Sequence, residues 1–203
     1  GMPVVGTTGS AQATPELAWG MMIALARNIH IESARMREGG WITTMGTDLE
    51  GATLGILGLG KLGRKMAQVG QAFDMKCIAW SANLTAESAA EAGVERVEKD
   101  ELFGRSDFLT IHYKLGDRSR GLVGARELGL MKPTAFLVNT SRGPIVDTGA
   151  LIAALEAGTI AGAGLDVFER EPAITKALTT MHNVCILPHL GSATVETRIA
   201  MGM

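Results

Sequence analysis

The chain predicts an α/β fold, a doubly wound parallel sheet with helices on both faces. Three observations point there. From Thr53 onward, short apolar runs alternate with longer stretches of helical period. Strand–helix–strand alternation calls for right-handed crossovers and a sheet covered on both sides. Glycine stands at 26 of 203 residues while aromatics are only 4%, so tight turns and close backbone approaches are expected. One glycine-rich turn, Gly58-Leu59-Gly60-Lys61-Leu62-Gly63, sits between the first apolar run and a helical stretch.

Strands are expected at 53–57, 76–80, 94–97, 108–111, 135–139, 160–166 and 184–187, with helices at 62–73, 86–92, 99–104, 125–130 and 149–157. Upstream, Thr14-Pro15-Glu16 reads as a helix start, with a hydroxyl cap, proline in the first turn and an acid beside it. Leu17 to Ala26 is apolar on every side, which predicts burial all round. Gly39-Gly40 closes the segment, and a second domain or subunit is expected to cover it. Gly1-Met2-Pro3-Val4-Val5 starts like a strand, and Ser192 onward starts like a helix, so the chain reads as a fragment.

Composition narrows the function classes. A chain 46% hydrophobic and 20% charged is an ordinary soluble globular one. Nineteen basic and twenty-one acidic residues, net charge -2, are dispersed without blocks, so no nucleic-acid or anionic-membrane surface is expected. The apolar run ended by Arg27 is too short to span a bilayer, and no signal-peptide pattern opens the sequence. Cys77 and Cys185 lie far apart without metal-type spacing. Two reduced, packed thiols in a cytoplasmic protein are expected, with a disulfide as the alternative.

The glycine turn fits G-x-G-x-x-G, fed by a strand and left by a helix. The first glycine makes the turn, the second lets the backbone approach a pyrophosphate, and the third permits close helix–strand packing. The helix start then offers free N–H groups to phosphate. The competing reading is a packing turn without ligand. An acid expected after the second strand, for the adenosine ribose, is missing. Ser81 stands there in Trp80-Ser81-Ala82-Asn83. Its loss removes repulsion against a 2′-phosphate, yet no arginine is adjacent, so NAD or NADP stays open.

In open parallel sheets, ligands bind beyond the carboxyl ends of the strands. After three late strands stand Arg142, the pair Glu169 and Glu171, and His189. A forked, permanently charged guanidinium suits a carboxylate beside a carbonyl. Histidine can give a proton to the oxygen of a reduced carbonyl near neutral pH, and a carboxylate behind the imidazole fixes its tautomer. These are the requirements of 2-keto acid reduction, with Arg142 as clamp, His189 as acid/base and Glu169 or Glu171 as its partner. Asp166, ending an apolar strand, needs a partner of its own. Either a nicotinamide amide or a structural N–H would serve.

Gly58 to Gly63, Val138-Asn139-Thr140-Ser141-Arg142-Gly143-Pro144-Ile145-Val146-Asp147, Gly164-Leu165-Asp166-Val167-Phe168 with Glu171-Pro172, and Pro188-His189-Leu190-Gly191 together resemble the D-isomer-specific 2-hydroxyacid dehydrogenases. The resemblance covers nearly the whole chain. It implies a Rossmann-type dinucleotide-binding domain with the substrate domain largely absent, and an NAD(P)-dependent exchange between a small 2-keto acid, such as glyoxylate or hydroxypyruvate, and its D-2-hydroxy acid. It implies that Arg142, Glu171 and His189 are catalytic. It places Gly58, Gly60, Lys61, Leu62, Gly63, Ser81, Thr140, Ser141 and Gly191 near the coenzyme, with Asp166 at the nicotinamide end and a homodimer through residues 14–27. Family members often carry proline where His112-Tyr113-Lys114-Leu115 stands here, so His112 is either a coenzyme contact or a strand-end packing residue. The implied organisation is a connecting and dimerisation region over 1–45, a core over 46–191, and a returning helix from 192. A corepressor-type binding module on the same fold, or an alanine-dehydrogenase relative, is the competing reading.

Overall fold

The computed structural model describes residues 12–202; the strand-like start at Gly1 to Val5 lies outside them. Along the chain run α1 (Ala13–Ala26), α2 (Ile29–Arg37), β1 (Thr53–Leu57), α3 (Lys61–Ala72), β2 (Lys76–Trp80), α4 (Ala86–Ala90), β3 (Glu95–Arg96), α5 (Lys99–Arg105) and β4 (Phe108–Ile111). Then follow α6 (Ala125–Leu130), β5 (Phe136–Asn139), α7 (Thr148–Glu156), β6 (Gly162–Leu165), α8 (Lys176–Thr180), β7 (Val184–Ile186) and α9 (Val195–Ala200). Among the described residues, seven strands form one sheet in the order β3-β2-β1-β4-β5-β6-β7, and all their pairings are parallel. The order reverses between β1 and β4, the switch point at which such sheets open a crevice.

Alternation along the strands divides the core. Leu54 and Ile56 of β1 face one side, with α1 and α3. Leu57 joins Leu102, Phe103, Leu128 and Leu151 of α5, α6 and α7 on the other. Helix α3 buries Gly63, Met66, Ala67 and Gly70, the three- and four-residue spacing of an amphipathic helix. Each large side chain fully removed from water contributes about 1.5–3 kcal/mol. Both layers therefore hold the strand ends rigidly at one edge, where the polar residues gather.

Helix α1 differs from the expected segment in its start and its extent. It begins at Ala13, so Thr14 lies inside the first turn and does not cap it; its hydroxyl instead donates to the Gly191 carbonyl at 3.0 Å. One side of its apolar surround packs on the chain's own sheet, where α1 meets β5, β6 and β7, while Leu17 and Ile23 stay partly exposed. Glycine at 164 eases the approach, since a Cβ there would lie 3.2 Å from the Leu25 side chain and 3.4 Å from that of Met21. The segment is also not continuous to Gly39-Gly40. Asn28 turns left-handed at φ 53 and separates α1 from α2, a conformation asparagine tolerates better than most residues.

The two cysteines are free and buried. Burial pushes the Cys77 thiol up to about 11 and raises Cys185 as well, so both stay protonated and unreactive. No helix among the described residues is long and apolar enough to cross a membrane.

Candidate active site

At the end of β1 the chain turns through Gly58 at φ +104, a conformation open to glycine alone at little cost. A Cβ there would also press on the His112 carbonyl, at 2.7 Å. Gly63, one turn into α3, packs directly on the Gly58 carbonyl. Between them Gly60 precedes the first turn of α3, and a Cβ on it would meet nothing within 4 Å. Two glycines are thus required by packing, and the middle one leaves space in front of free helix N–H groups, as a pyrophosphate requires. Lys61 is exposed and Leu62 partly so, at the mouth of the same turn.

The neighbouring strand ends carry further polar groups. The Leu59 N–H donates to the Ser81 hydroxyl at 3.0 Å, joining the glycine turn to the end of β2. Past β4, His112 shares a 2.8 Å hydrogen bond between Nε2 and Thr110 Oγ1. Its Nδ1 is buried without a partner, as is Thr140 Oγ1 past β5. Unsatisfied buried polar atoms are uncommon. One of them, on His112, lies beside the glycine turn and the other, on Thr140, follows β5, and both fit a site that takes a polar dinucleotide. Ser141 lies in the same loop as Thr140 and donates its hydroxyl to the Tyr113 carbonyl at 2.6 Å.

Burial pushes the His112 imidazole down to about 4. Folded His112 is therefore neutral, and its folded pKa lies below the ordinary 6.5. The stability that follows is complete above 6.5 and is lost as pH falls towards about 4. The coenzyme-free melting temperature should drop through that window. The drop should be shallower in His112→Gln; equal slopes for the two proteins would refute the assignment.

The late strands assemble the second cluster. Asn139 ends β5 buried; its side chain accepts the Ser141 N–H and donates to the Arg142 carbonyl, both at 3.0 Å. This bend carries Arg142 outward, where its guanidinium touches the Ser141 carbonyl at 2.6 Å. Gly143 then packs on the Phe168–Glu169 backbone, bringing the loops after β5 and β6 together. In the second loop the Glu171 carboxylate accepts the Phe168 N–H at 2.9 Å and pairs with His189 Nδ1 at 2.7 Å. Burial pulls the Glu171 carboxyl upward, but the hydrogen bonds from His189 and Phe168 and the charges of His189 and Arg142 outweigh it and hold it below the usual carboxylate range. The choice that the residues alone left open falls on Glu171, since Glu169 makes no such contact with His189.

His189 stands at φ +56, and the next residues explain how it is kept there. Asp166, fully buried at the end of β6, accepts the Leu190 N–H at 2.7 Å and the Gly191 N–H at 2.8 Å. Burial raises its pKa, against the opposing effect of those two hydrogen bonds. The Thr14 hydroxyl grips the Gly191 carbonyl from the far side. Of the two partners weighed for Asp166, structural N–H groups are present. Thr14, Asn139 and Tyr113 escaped the sequence reading as site residues. Asn139 carried one signal, a polar residue ending an apolar strand.

The chain is similar to known proteins over most of its length. Residues 19–191 match the family model described as D-isomer specific 2-hydroxyacid dehydrogenase, NAD binding domain. A glyoxylate reductase from Thermococcus litoralis is 43% identical, aligned over 99% of this chain and 64% of its own length. A D-3-phosphoglycerate dehydrogenase from Rattus norvegicus is 41% identical over 96% of this chain and 37% of its own. The crystal structure of a phosphoglycerate oxidoreductase from Vibrio cholerae superimposes with a TM-score of 0.91 at 35% identity, covering 97% of this chain and 65% of that one. The chain therefore spans less than two thirds of each of these relatives.

Proposed function

Because the chain belongs to the D-isomer specific 2-hydroxyacid dehydrogenase family, as its NAD-binding domain, we propose that it works in an oxidoreductase interconverting a small 2-keto acid and its D-2-hydroxy acid. The observation that carries this is the 2.7 Å pair of His189 Nδ1 and Glu171 beside Arg142, at the carboxyl edge of the sheet. NAD(P)H, when bound, supplies the hydride. An ionised carboxylate only accepts hydrogen bonds, so Nδ1 carries a proton towards Glu171 and Nε2 is the nitrogen left to face substrate. Protonated there, it gives that proton to the carbonyl oxygen as the oxygen gains charge. The Arg142 guanidinium holds the substrate carboxylate and polarises the neighbouring carbonyl. Asp166 sets the loop that aims His189, and a nicotinamide amide is its proposed further contact.

The remaining site residues are assigned on the same footing. Gly58, Gly60, Lys61, Leu62 and Gly63 cradle the pyrophosphate, Ser81 meets the adenosine ribose, and His112, Thr140, Ser141 and Gly191 line the rest of the coenzyme path. Residues 1–45 connect and dimerise, 46–191 form the core, and 192 onward begins a returning helix. A homodimer through residues 14–27 is supported by the outer side of α1, where Leu17 and Ile23 stay partly exposed, and by Trp41 (75% exposed) and Ile42 (69%) downstream. Two buried free thiols suit a cytoplasmic setting. The relatives named above are enzymes by name, which favours catalysis over a corepressor-type module.

Titration of the chain with NADH and NADPH, followed by quenching of Trp80, should show saturable binding of at least one. Turnover of glyoxylate or hydroxypyruvate by the chain alone should stay low, because backbone N–H groups of a substrate domain are expected to share the substrate carboxylate. Absence of binding by a folded chain would overturn the coenzyme site, and high specific activity would overturn the need for a further domain.

A further inference from the structure

Past β2 and β4, four neutral groups gather where the sequence shows no carboxylate: the Trp80 and Tyr113 side chains, the Ala82 N–H and the Ser81 hydroxyl. The Tyr113 ring stacks on Trp80, with centroids 6.1 Å apart and planes at 14°. Its hydroxyl oxygen accepts the Ala82 N–H at 3.2 Å, and its carbonyl is held by Ser141. Tyr113 leaves β4 and Ala82 follows β2, while β1 lies between those strands. The phenol therefore reaches across the end of β1, over the switch-point crevice beside the glycine turn. The Ser81 hydroxyl, one residue away from Ala82, accepts the Leu59 N–H.

A hydroxyl that accepts a backbone N–H keeps its own proton free to donate. Neither the Tyr113 nor the Ser81 proton has a protein acceptor among the described residues' hydrogen bonds. Two guanidinium groups hold the segment that follows Ser81. Arg64 reaches the Ser88 carbonyl at 2.8 Å and its hydroxyl at 2.7 Å, and Arg96 reaches the Leu84 carbonyl at 3.0 Å. Each guanidinium also has a carboxylate neighbour, Glu91 at 3.8 Å from Arg64 and Glu98 at 2.9 Å from Arg96, at the end of α4 and the start of α5.

We infer that Tyr113 and Ser81 together form a subsite for a phosphate monoester on the adenosine ribose, and that Tyr113 is a residue selecting NADP(H) over NAD(H). This rests on the coenzyme site proposed above. A ribose 2′-hydroxyl is best met by a carboxylate, a charged acceptor, and this site offers only neutral hydroxyls. A phosphate offers only acceptors, and O–H to phosphate bonds are charge-assisted and stronger than neutral ones. The departure at Tyr113 and the missing acid at 81 are thereby one arrangement: the strand that lacks a carboxylate receives a phenol from its neighbour across the crevice.

Calorimetric titration of the chain tests this without turnover. Adenosine 2′,5′-bisphosphate should bind about tenfold more tightly than AMP, and NADPH about tenfold more tightly than NADH. Tyr113→Phe keeps the ring stack and removes the donor, so most of that advantage should vanish while NADH affinity stays within about twofold. Ser81→Asp should reverse the preference towards NADH. Equal or weaker binding of the 2′-phosphorylated ligands by the wild type, or an unchanged ratio in Tyr113→Phe, would overturn the inference while leaving the coenzyme site intact. Binding of none of the four ligands by a folded chain would instead overturn the coenzyme site itself, and the inference with it.

Discussion

Glyoxylate reduction falls by about 10²–10⁴-fold when His189 is replaced by Asn, the range associated with loss of a positioned acid/base group. Asparagine is the right replacement because it accepts the left-handed backbone that His189 adopts at φ +56. The loop therefore keeps its path and only the proton donor is lost. The measurement is a single-turnover reaction at high protein concentration with saturating reduced coenzyme, which reads slow chemistry that steady state would miss. Coenzyme affinity should stay within about twofold, since the imidazole pairs with Glu171 and not with the glycine turn. The wild type should also lose rate on the acid side. Glu171 titrates below its ordinary 4.5, so its pair with His189 is intact above that value and is lost as pH falls through the lower, folded one. A His189→Asn protein that reduces the keto acid as fast as wild type would end the proposed role.

Asp166→Ala should be the most damaging change to the fold among the site residues. The carboxylate is fully buried, and both of its oxygens are engaged by backbone N–H groups of the loop that carries His189. Removing it leaves two N–H groups without acceptors and a small cavity, at a cost of about 2–4 kcal/mol. For a domain of this size that corresponds to a fall in melting temperature of roughly 5–10 °C. Hydrogen exchange locates the effect, because the Leu190 and Gly191 amides should lose protection while those of β1 and β2 keep theirs. Asp166→Asn, which retains one acceptor, should fall between. If the variant melts with the wild type and the two amides stay protected, Asp166 is not what holds His189 in place.

Much of this site could be read before any coordinates. In a parallel sheet every strand ends at the same edge, so residues just past the strands must meet even when they are far apart in sequence. Arg142, Glu171 and His189 follow β5, β6 and β7, three adjacent strands, and placing the strands was enough to place them. The glycine turn was legible for a local reason: its fifth-position spacing sits between a strand and a helix whose bounds match the expected ones to within a residue. The strands at β3, β5, β6 and β7 came out shorter than expected, because ladder pairing ends before the hydrophobic pattern does.

What the sequence determined by itself, then, is the layered parallel sheet, its turn at Gly58 and the edge at which its chemistry gathers. These depend on periodicity and chain order, which are written locally. Only the tertiary structure showed that Glu171, and not Glu169, pairs with His189, which the residues apart from the resemblance had left open, that Thr14 bolts α1 to the loop carrying His189 instead of capping the helix, that one side of α1 packs on the sheet, and that Tyr113 spans the crevice to Ala82. Each of these is a contact between residues distant in sequence, or a choice between two residues two positions apart, and depends on loop path and side-chain reach. Thr14 and Gly191 are separated by 177 positions. No local pattern records such a pairing, because it exists only once the packed sheet has brought the helix start and the last strand's loop within hydrogen-bond distance.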